Sequence, residues 1–263
     1  KQCRRSRFRR APTGKRILLT ERDYQILRWL YRYRFLRSTQ LIKFIKPKSQ
    51  KRFIERLGDL YHETGMIDRP NGQWRNCNAR YNPIVYELSG KGQRWLEHQG
   101  ELPGRVTSLA RRNRPGATPQ FDHAMMIVDT LAEIELETIG LEHQRFVSVD
   151  EILARAPKAT QVLTKPLSIS VSLHPTDFPR LQLRVEMKIV PDGLYGIEHH
   201  DGDKKHYEFF ALECENRSPK RRSTACLSSL ELKQAAYQAI IQTKQHRTIW
   251  GLPCLSLHIV NQR

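Results

Sequence analysis

Two segments in the C-terminal half decide the fold: VPDGLYGI at residues 190–197 and FFALECENR at residues 209–217. Both contain apolar and aromatic residues in runs that are typical of β-strands. The polar stretch between them, HHDGDKKH, contains an Asp-Gly pair that favours a tight turn. The pattern predicts a β-hairpin with one strand over residues 188–198 and the other over residues 207–213.

Three carboxylates lie on this predicted hairpin. Asp192 is on the first strand, and Glu213 and Glu215 end the second. Side chains alternate along a strand, so Glu213 and Glu215 share one face, and the hairpin brings Asp192 beside them. Oxygen ligands of this kind suit Mg²⁺ or Mn²⁺. The three residues are therefore the candidate metal ligands, and we expect no cofactor unless this site is active.

The predicted cluster needs a positive charge nearby. Close carboxylates raise one another's pKa values unless a cation relieves their repulsion. The available basic groups are Lys233 on the following predicted helix and Arg217 in the adjoining loop. We therefore expect Asp192 and Glu213 to belong to one carboxylate cluster whose nearest cation is a side chain.

Further helices and strands are predicted around this hairpin. The predicted helices are Phe121–Glu137 and Leu227–Thr243, and the predicted strands are Leu167–Leu173, Leu181–Val185 and Leu255–Val260. This order indicates an α/β (α+β) domain over residues 121–263, with a central sheet and flanking helices.

The order of these predicted helices and strands resembles the PD-(D/E)xK nuclease fold. In that fold, a helix, a hairpin carrying PD and (D/E)xK, a second helix and a strand form the core. The resemblance covers about residues 121–260 and implies that Asp192 and Glu213 are the catalytic carboxylates. The lysine of that family is replaced here by Glu215, so Lys233 would have to supply the ammonium group. This departure implies a degenerate site. A metal-dependent nickase or endonuclease using Asp192, Glu213 and Lys233 stays open as an alternative.

The N-terminal half carries the charge of the chain. The protein has 45 Lys and Arg against 27 Asp and Glu, a net charge of +18. Residues 1–120 hold 28 of the basic and 9 of the acidic residues, whereas residues 121–263 hold 17 and 18. Neutralising phosphates releases condensed counterions, so this surplus favours a nucleic-acid partner. A solvated basic face is the alternative.

Three helices are predicted early in this basic half. Thr20 followed by Asp23 forms a capping box at the start of the first. Ser38 and Ser49 are the expected N-caps of the second and third, and Pro47 ends the second. Three helices joined by very short turns indicate a helix-turn-helix.

A wing is predicted after the third helix. Short strands over residues 66–68 and 84–88 flank a turn-rich basic segment and complete a winged-helix domain over residues 17–100. The candidate DNA contacts are Lys48, Gln50, Lys51, Arg52 and Arg56 around the third helix, and Arg69, Arg75 and Arg80 in the wing. Alanine at Lys51, Arg52 or Arg56 is expected to lower the salt slope of log K by about one.

The remaining segments complete the domain organisation. Residues 1–16 predict a basic arm too polar to fold by itself, and residues 101–120, rich in Pro, Gly and Arg, predict an interdomain linker. No apolar run approaches the length of a membrane span, and no secretory signal is visible, so we expect a cytoplasmic protein without a membrane partner.

The whole pattern resembles the replication-relaxation family of plasmid and mobile-element proteins. The resemblance depends on the predicted winged helix, on His123 at a helix entry, on VPDGLYGI and FFALECENR, and on ELKQAAYQAI at residues 231–240. Glu213, Glu215 and Arg217 take places similar to the family's pattern at the end of the second hairpin strand. The resemblance implies a plasmid, phage or integrative element and a DNA-binding role in replication, relaxation or mobilisation.

These observations lead to one hypothesis and two alternatives. The leading hypothesis is a double-stranded DNA-binding protein with a degenerate nuclease-like domain. That domain serves as a scaffold for a protein partner in a replication or mobilisation complex, or for a second DNA contact. The metal-dependent nickase is the first alternative. The second is a transcriptional regulator that forms a homodimer through its C-terminal domain.

Overall fold

The computed structural model describes residues 5–75, 82–100, 121–215, 221–222 and 225–261. The chain divides into two compact units, Lys1–Ala132 and Glu133–Arg263. Each unit contains helices and a sheet, in agreement with the predicted α/β class. The predicted linker, residues 101–120, lies outside the described residues. In the described part of the chain, no helix is long and apolar enough to cross a membrane.

The N-terminal unit begins with three closely spaced helices, followed by an antiparallel sheet. Its elements are α1 (Glu21–Tyr33), β1 (Phe35–Arg37), α2 (Ser38–Ile45), α3 (Gln50–Asp59), a π-helical turn (Leu60–Thr64), β2 (Ile67–Asp68), a 3₁₀ turn (Asn71–Arg75), β3 (Val85–Leu88) and α4 (Gly90–His98). β3 lies between β1 and β2 and pairs antiparallel with both. The three predicted helices and the predicted pair β2 and β3 are confirmed. β1 is too short for its alternation to be recognised in the sequence.

Side chains fix the starts of these helices. Thr20 donates its backbone N–H to Asp23 Oδ2 at 2.7 Å, and Ser49 Oγ accepts from the N–H of Arg52 at 3.4 Å, so both predicted starts are confirmed. Ser38 differs from the prediction, because α2 begins at Ser38 itself and Arg37 is the N-cap. The backbone N–H of Arg37 donates to Gln40 Oε1 at 2.8 Å, so this N–H has a partner at the helix start.

The helix α5 (Phe121–Ile139) crosses the division of the chain, which falls between Ala132 and Glu133. Its first turns pack into the N-terminal unit, where Phe121 meets Phe35 edge-on with ring centroids 5.5 Å apart. Arg37 also forms a bidentate ion pair with Asp129 at 2.8–3.2 Å. The N-terminal unit therefore extends past residue 121, the predicted start of the second domain, because α5 buries apolar side chains there.

The C-terminal unit contains a four-stranded sheet and two smaller strand pairs. After α5 come β4 (Gln144–Val147), α6 (Val149–Arg155), α7 (Lys158–Gln161), β5 (Ile169–Leu173), β6 (Val185–Ile189), β7 (Gly193–Asp201), β8 (Lys204–Glu215), β9 (Arg221–Arg222), β10 (Ala225–Ser228), α8 (Ser229–Gln242), α9 (Gln245–Trp250) and β11 (Ser256–Asn261). The large sheet has the order β11-β8-β7-β4, and β11 runs parallel to β8. β5 pairs with β6, and β9 with β10.

The predicted hairpin is confirmed as β7 and β8. Asp201 pairs with Lys204 across a two-residue turn, in which Gly202 has a φ of 57°, a conformation that favours glycine. The predicted first strand is wrong in its extent, because β6 ends at Ile189 and β7 begins only at Gly193. Pro191 cannot donate a backbone hydrogen bond, so the chain leaves the small sheet before it enters the large one. The predicted strand Leu181–Val185 is likewise displaced to β6.

The core of this unit lies between the hairpin and α8. Leu194, Phe209 and Ala211 are buried together with Ala236 and Ile240 of α8. Because side chains alternate along β8, the face that carries Phe209 and Ala211 also carries residue 213. The fold therefore turns Glu213 toward α8, inside the protein.

Candidate functional site

The first candidate site is the surface around the start of α3. Lys48, Gln50, Lys51 and Arg52 are all exposed, and we call them the α3 N-terminal surface. On the opposite side of the helix, Phe53 and Leu57 are buried in the core of the N-terminal unit. Four of the five residues predicted around the third helix are therefore presented together to solvent.

Arg56 has a different environment from the other predicted residues of α3. Its guanidinium donates to both carboxylate oxygens of Asp23, at 2.9 and 2.5 Å, and to the carbonyl of Leu18 at 2.6 Å. The Asp23 side chain is only 1% exposed. Burial opposes its ionisation, yet the hydrogen bonds from Arg56 and Thr20 hold its pKa below the ordinary 3.8. Arg56 thus ties α3 to α1 and does not belong to the exposed basic surface.

Arg69, whose side chain is described among the predicted wing arginines, is not exposed either. Arg69 is 8% exposed, and its guanidinium lies 4.1 Å from the centroid of the Tyr61 ring. It also donates to the hydroxyl of Tyr86 at 3.3 Å and to the carbonyl of Arg7. This arginine is held by aromatic rings, in a geometry that favours cation–π attraction. The Arg75 side chain and all of Arg80 lie outside the described residues.

The basic arm, which is predicted to be too polar to fold by itself, contacts the N-terminal unit in its described part. Arg5 and Lys15 form ion pairs with Asp59 at 2.8 and 2.6 Å. Between them, Thr13 donates its backbone N–H and its hydroxyl to Glu63 at 2.9 Å each. Two carboxylates at the end of α3 and in the π-helical turn therefore hold the arm, and no core of its own is needed.

The second candidate site is the Lys233 cluster, which we define as Asp192, Glu213, Glu215, Lys233 and Tyr237. Lys233 Nζ lies 2.7 Å from Glu213 Oε2 and 2.8 Å from Glu215 Oε1. The Tyr237 hydroxyl donates to Glu213 Oε1 at 2.6 Å. Asp192 Oδ2 accepts the backbone N–H of Cys214 at 2.9 Å. The structure thus brings the predicted carboxylates together, with a lysine ammonium between two of them.

Local structure explains this arrangement. Glu213 and Glu215 are two residues apart on β8 and share one face, whereas Lys233 and Tyr237 are four apart on α8 and share one side of the helix. Asp192 directly precedes β7, and Gly193 pairs with Leu212 in the neighbouring strand. Continuing the hairpin register by one residue places Asp192 opposite Glu213, and the Asp192 side chain accepts the backbone N–H of the next residue, Cys214.

Burial and hydrogen bonding set the charges of the cluster. The Glu213 side chain is 2% exposed, and burial raises its pKa above 4.5, against the effect of Lys233 and Tyr237. Burial lowers the pKa of Lys233, but the bonds to Glu213 and Glu215 outweigh it, and the net shift is upward. Burial and Glu213 also raise the pKa of Tyr237. Lys233 therefore stays an ammonium and Tyr237 a phenol at neutral pH.

The cluster differs from an open metal site. Both oxygens of Glu213 already accept hydrogen bonds, and the Lys233 ammonium lies between the two glutamates that a cation would otherwise join. Among the described residues, no group of three or more His, Cys, Asp and Glu is arranged to hold a metal ion. In this arrangement Lys233 and Tyr237 hold Glu213 through hydrogen bonds within the C-terminal unit.

Two partners in these sites were not among the sequence predictions. Tyr237 lies one helical turn after Lys233, and this spacing is the signal that could have identified it. Asp23 was predicted only as a helix cap, and its second role as the partner of Arg56 depends on the packing of α1 against α3.

The comparisons with known proteins bear on both sites. The family model described as replication-relaxation matches residues 27–251, which include the α3 N-terminal surface and the Lys233 cluster. No curated protein and no solved structure matches the chain significantly. Because the matched residues cover most of the sequence, the chain belongs to the replication-relaxation family.

Proposed function

We propose that this protein binds double-stranded DNA through its N-terminal unit, which acts as a winged helix. The process we propose is the replication, relaxation or mobilisation of a plasmid, phage or integrative element, and the family's description, replication-relaxation, supports the first two. The observation that carries the proposal is the α3 N-terminal surface, where three cationic side chains and Gln50 are exposed at the start of one helix. The sheet order β1-β3-β2 beside three helices also supports a winged helix.

This surface suits the major groove. α2 and α3 are separated by only four residues, so α3 is the second helix of a helix-turn-helix pair, which is the helix that enters the groove. Lysine and arginine at its start would meet phosphates at the groove edge, and Gln50 would reach base edges. The N-terminal half also carries all of the net positive charge, which attracts a polyanion regardless of sequence.

We expect Lys51→Ala and Arg52→Ala each to lower the salt slope of duplex binding. If each side chain neutralises one phosphate, the slope of log K against log salt should fall by about one per substitution. Binding of a fluorescent duplex to the full chain would be titrated over a range of salt concentrations. Lys188→Ala, an exposed lysine on β6, is the matched control and should leave the slope unchanged. A Lys51→Ala/Arg52→Ala variant with parental affinity and slope would contradict the proposal.

For the C-terminal unit we propose a nuclease-like scaffold without cleavage activity. The order α5, β4, the β7–β8 hairpin, α8 and β11 supports a fold of the PD-(D/E)xK type. The absence of cleavage is supported by the position of Lys233, whose ammonium bridges Glu213 and Glu215. A divalent cation that joined Glu213 to Glu215 would have to displace the Lys233 ammonium from its place between them.

A plasmid nicking assay tests this part of the proposal. The full chain would be incubated with supercoiled DNA and Mg²⁺ or Mn²⁺, with Asp192→Ala as the matched control. We expect the parent and the variant to leave the plasmid equally supercoiled, because Lys233 occupies the place between Glu213 and Glu215 that a metal ion would take. Nicking by the parent that is lost in Asp192→Ala would establish the alternative of a metal-dependent nickase, since Asp192, Glu213 and Lys233 are already gathered there.

A further inference from the structure

The outer side of α3 carries a strip of residues that the phosphate contacts above do not explain. The strip consists of Lys51, Ile54, Glu55 and Gly58, and we call it the α3 strip. Its members are spaced i, i+3, i+4 and i+7, so they lie along one side of the helix. The first three are exposed and Gly58 is partly exposed, whereas Phe53 and Leu57 on the other side are buried.

The charges of the α3 strip suit base edges better than phosphates. Glu55 leaves the strip without a net formal charge, although Lys51 at its start is one of the proposed phosphate contacts, and the other two, Lys48 and Arg52, lie beside the strip. A carboxylate is repelled by the DNA backbone, but it can accept a hydrogen bond from the amino group of cytosine. Phosphate contacts position a protein on DNA, and contacts to base edges specify the sequence. The strip therefore occupies the place where base recognition is expected.

Ile54 provides an apolar group in the middle of this strip. It is 39% exposed, although its neighbours Phe53 and Leu57 are buried in the core. In the major groove, the apolar group that a base pair presents is the C5-methyl of thymine. An exposed branched aliphatic side chain between charged residues is complementary to that methyl group.

Gly58 leaves the backbone of α3 open at the end of the strip. Glycine destabilises a helix relative to alanine, and neither the backbone nor the packing requires it here. Its φ is not positive, and a Cβ added at this position would have no heavy atom within 4 Å. The missing side chain therefore serves no contact in the described protein, but it lets another molecule approach the helix closely.

We infer that the α3 strip recognises thymine by its methyl group, with Ile54 contacting the methyl and Gly58 allowing the helix to lie deep in the groove. The inference deepens the proposed DNA-binding function and depends on it. It assigns sequence specificity to an aliphatic side chain, whereas Lys48, Lys51 and Arg52 supply affinity that does not depend on sequence.

The test replaces thymine with uracil, which differs only by lacking the methyl. A duplex is first enriched by binding of the full chain to a library with a randomised central segment, and each dT of that duplex is then replaced singly by dU. We expect about fourfold weaker binding at one or more positions, the value of one buried methyl group. Ile54→Ala should bind the dT and dU duplexes equally, whereas Lys188→Ala should keep the difference.

Gly58→Ala supplies an independent measurement. We expect this variant to have a raised thermal unfolding midpoint and about tenfold weaker binding to the enriched duplex, because the new methyl group overpacks the interface. Gly140→Ala, whose Cβ would make only an ordinary contact at 3.5 Å, is the control and should keep parental affinity.

The outcomes separate this inference from the proposed function. Salt-dependent duplex binding without any dT to dU difference, or with full affinity in Gly58→Ala, would overturn thymine recognition and leave DNA binding intact. A chain that binds no duplex at all would overturn both.

Discussion

Lys233→Met is expected to lower the free energy of unfolding by about 3 kcal/mol, because it leaves a buried carboxylate without its cation. Methionine keeps the apolar stem that packs between β8 and α8, so the loss reports on the charge. Removing one partner of a buried ion pair typically costs about 3–5 kcal/mol. We expect the lower end of this range, because the Lys233 side chain is 31% exposed and solvent screens its charge. Urea unfolding of the full chain measures the change, with Lys188→Met on the surface of β6 as the matched control.

The effect of Lys233→Met should depend on pH in a defined direction. Burial raises the pKa of Glu213 above its ordinary 4.5, so its contribution to stability is fully present below pH 4.5 and is lost as the pH rises through the folded pKa. In the Lys233→Met variant the pKa of Glu213 rises further, because the nearby positive charge is gone. In the parent protein, Lys233 stays charged between acid and neutral pH. The difference between parent and variant should therefore be small in acid and grow toward neutral pH.

A second substitution separates charge from packing in this experiment. Glu213→Gln in the Lys233→Met background removes the unpaired charge and keeps an acceptor for Tyr237, so it should restore most of the lost stability. A double variant that is no more stable than Lys233→Met, or a destabilisation independent of pH, would show that Lys233 does not neutralise Glu213.

Arg56→Met is expected to destabilise the N-terminal unit by about 3–4 kcal/mol and to leave the salt slope of DNA binding unchanged. The carboxylate of Asp23 would keep its bonds from Thr20 but lose both bonds from the guanidinium, while buried at 1% exposure. Arg56→Lys should recover only part of the loss, since an ammonium cannot form the bidentate pair. Unfolding by urea and duplex binding at several salt concentrations provide the two measurements.

Lys51→Met on the same helix is the control for Arg56→Met, and it should show the opposite pattern. Its side chain is exposed, so stability should change by less than about 0.5 kcal/mol, while the salt slope falls. If Arg56→Met lowered the salt slope by about one and left stability unchanged, the ion pair with Asp23 would not be its principal role.

The sequence alone predicts those parts of the fold that depend on near neighbours in the chain. The start of α1 follows from Thr20 and Asp23, and the start of α3 from Ser49, because each cap is satisfied within three residues. The β7–β8 hairpin follows from its turn residues and apolar strands. The short strands β1 and β4 show no period and are not predicted, whereas β2 and β3, which are no longer, are predicted from the turn residues between them.

The same distinction holds for the two candidate sites. By itself, the sequence determined that Glu213 and Glu215 share a face, that their repulsion calls for a cation, and that the N-terminal half carries the positive charge. Only the tertiary structure decided which cations are exposed. Arg56 and Asp23 are 33 residues apart, and Arg69 is enclosed by Tyr61 and Tyr86. An arginine is available to DNA only where the packing of distant segments leaves it no buried acceptor or ring, and no local pattern records that packing.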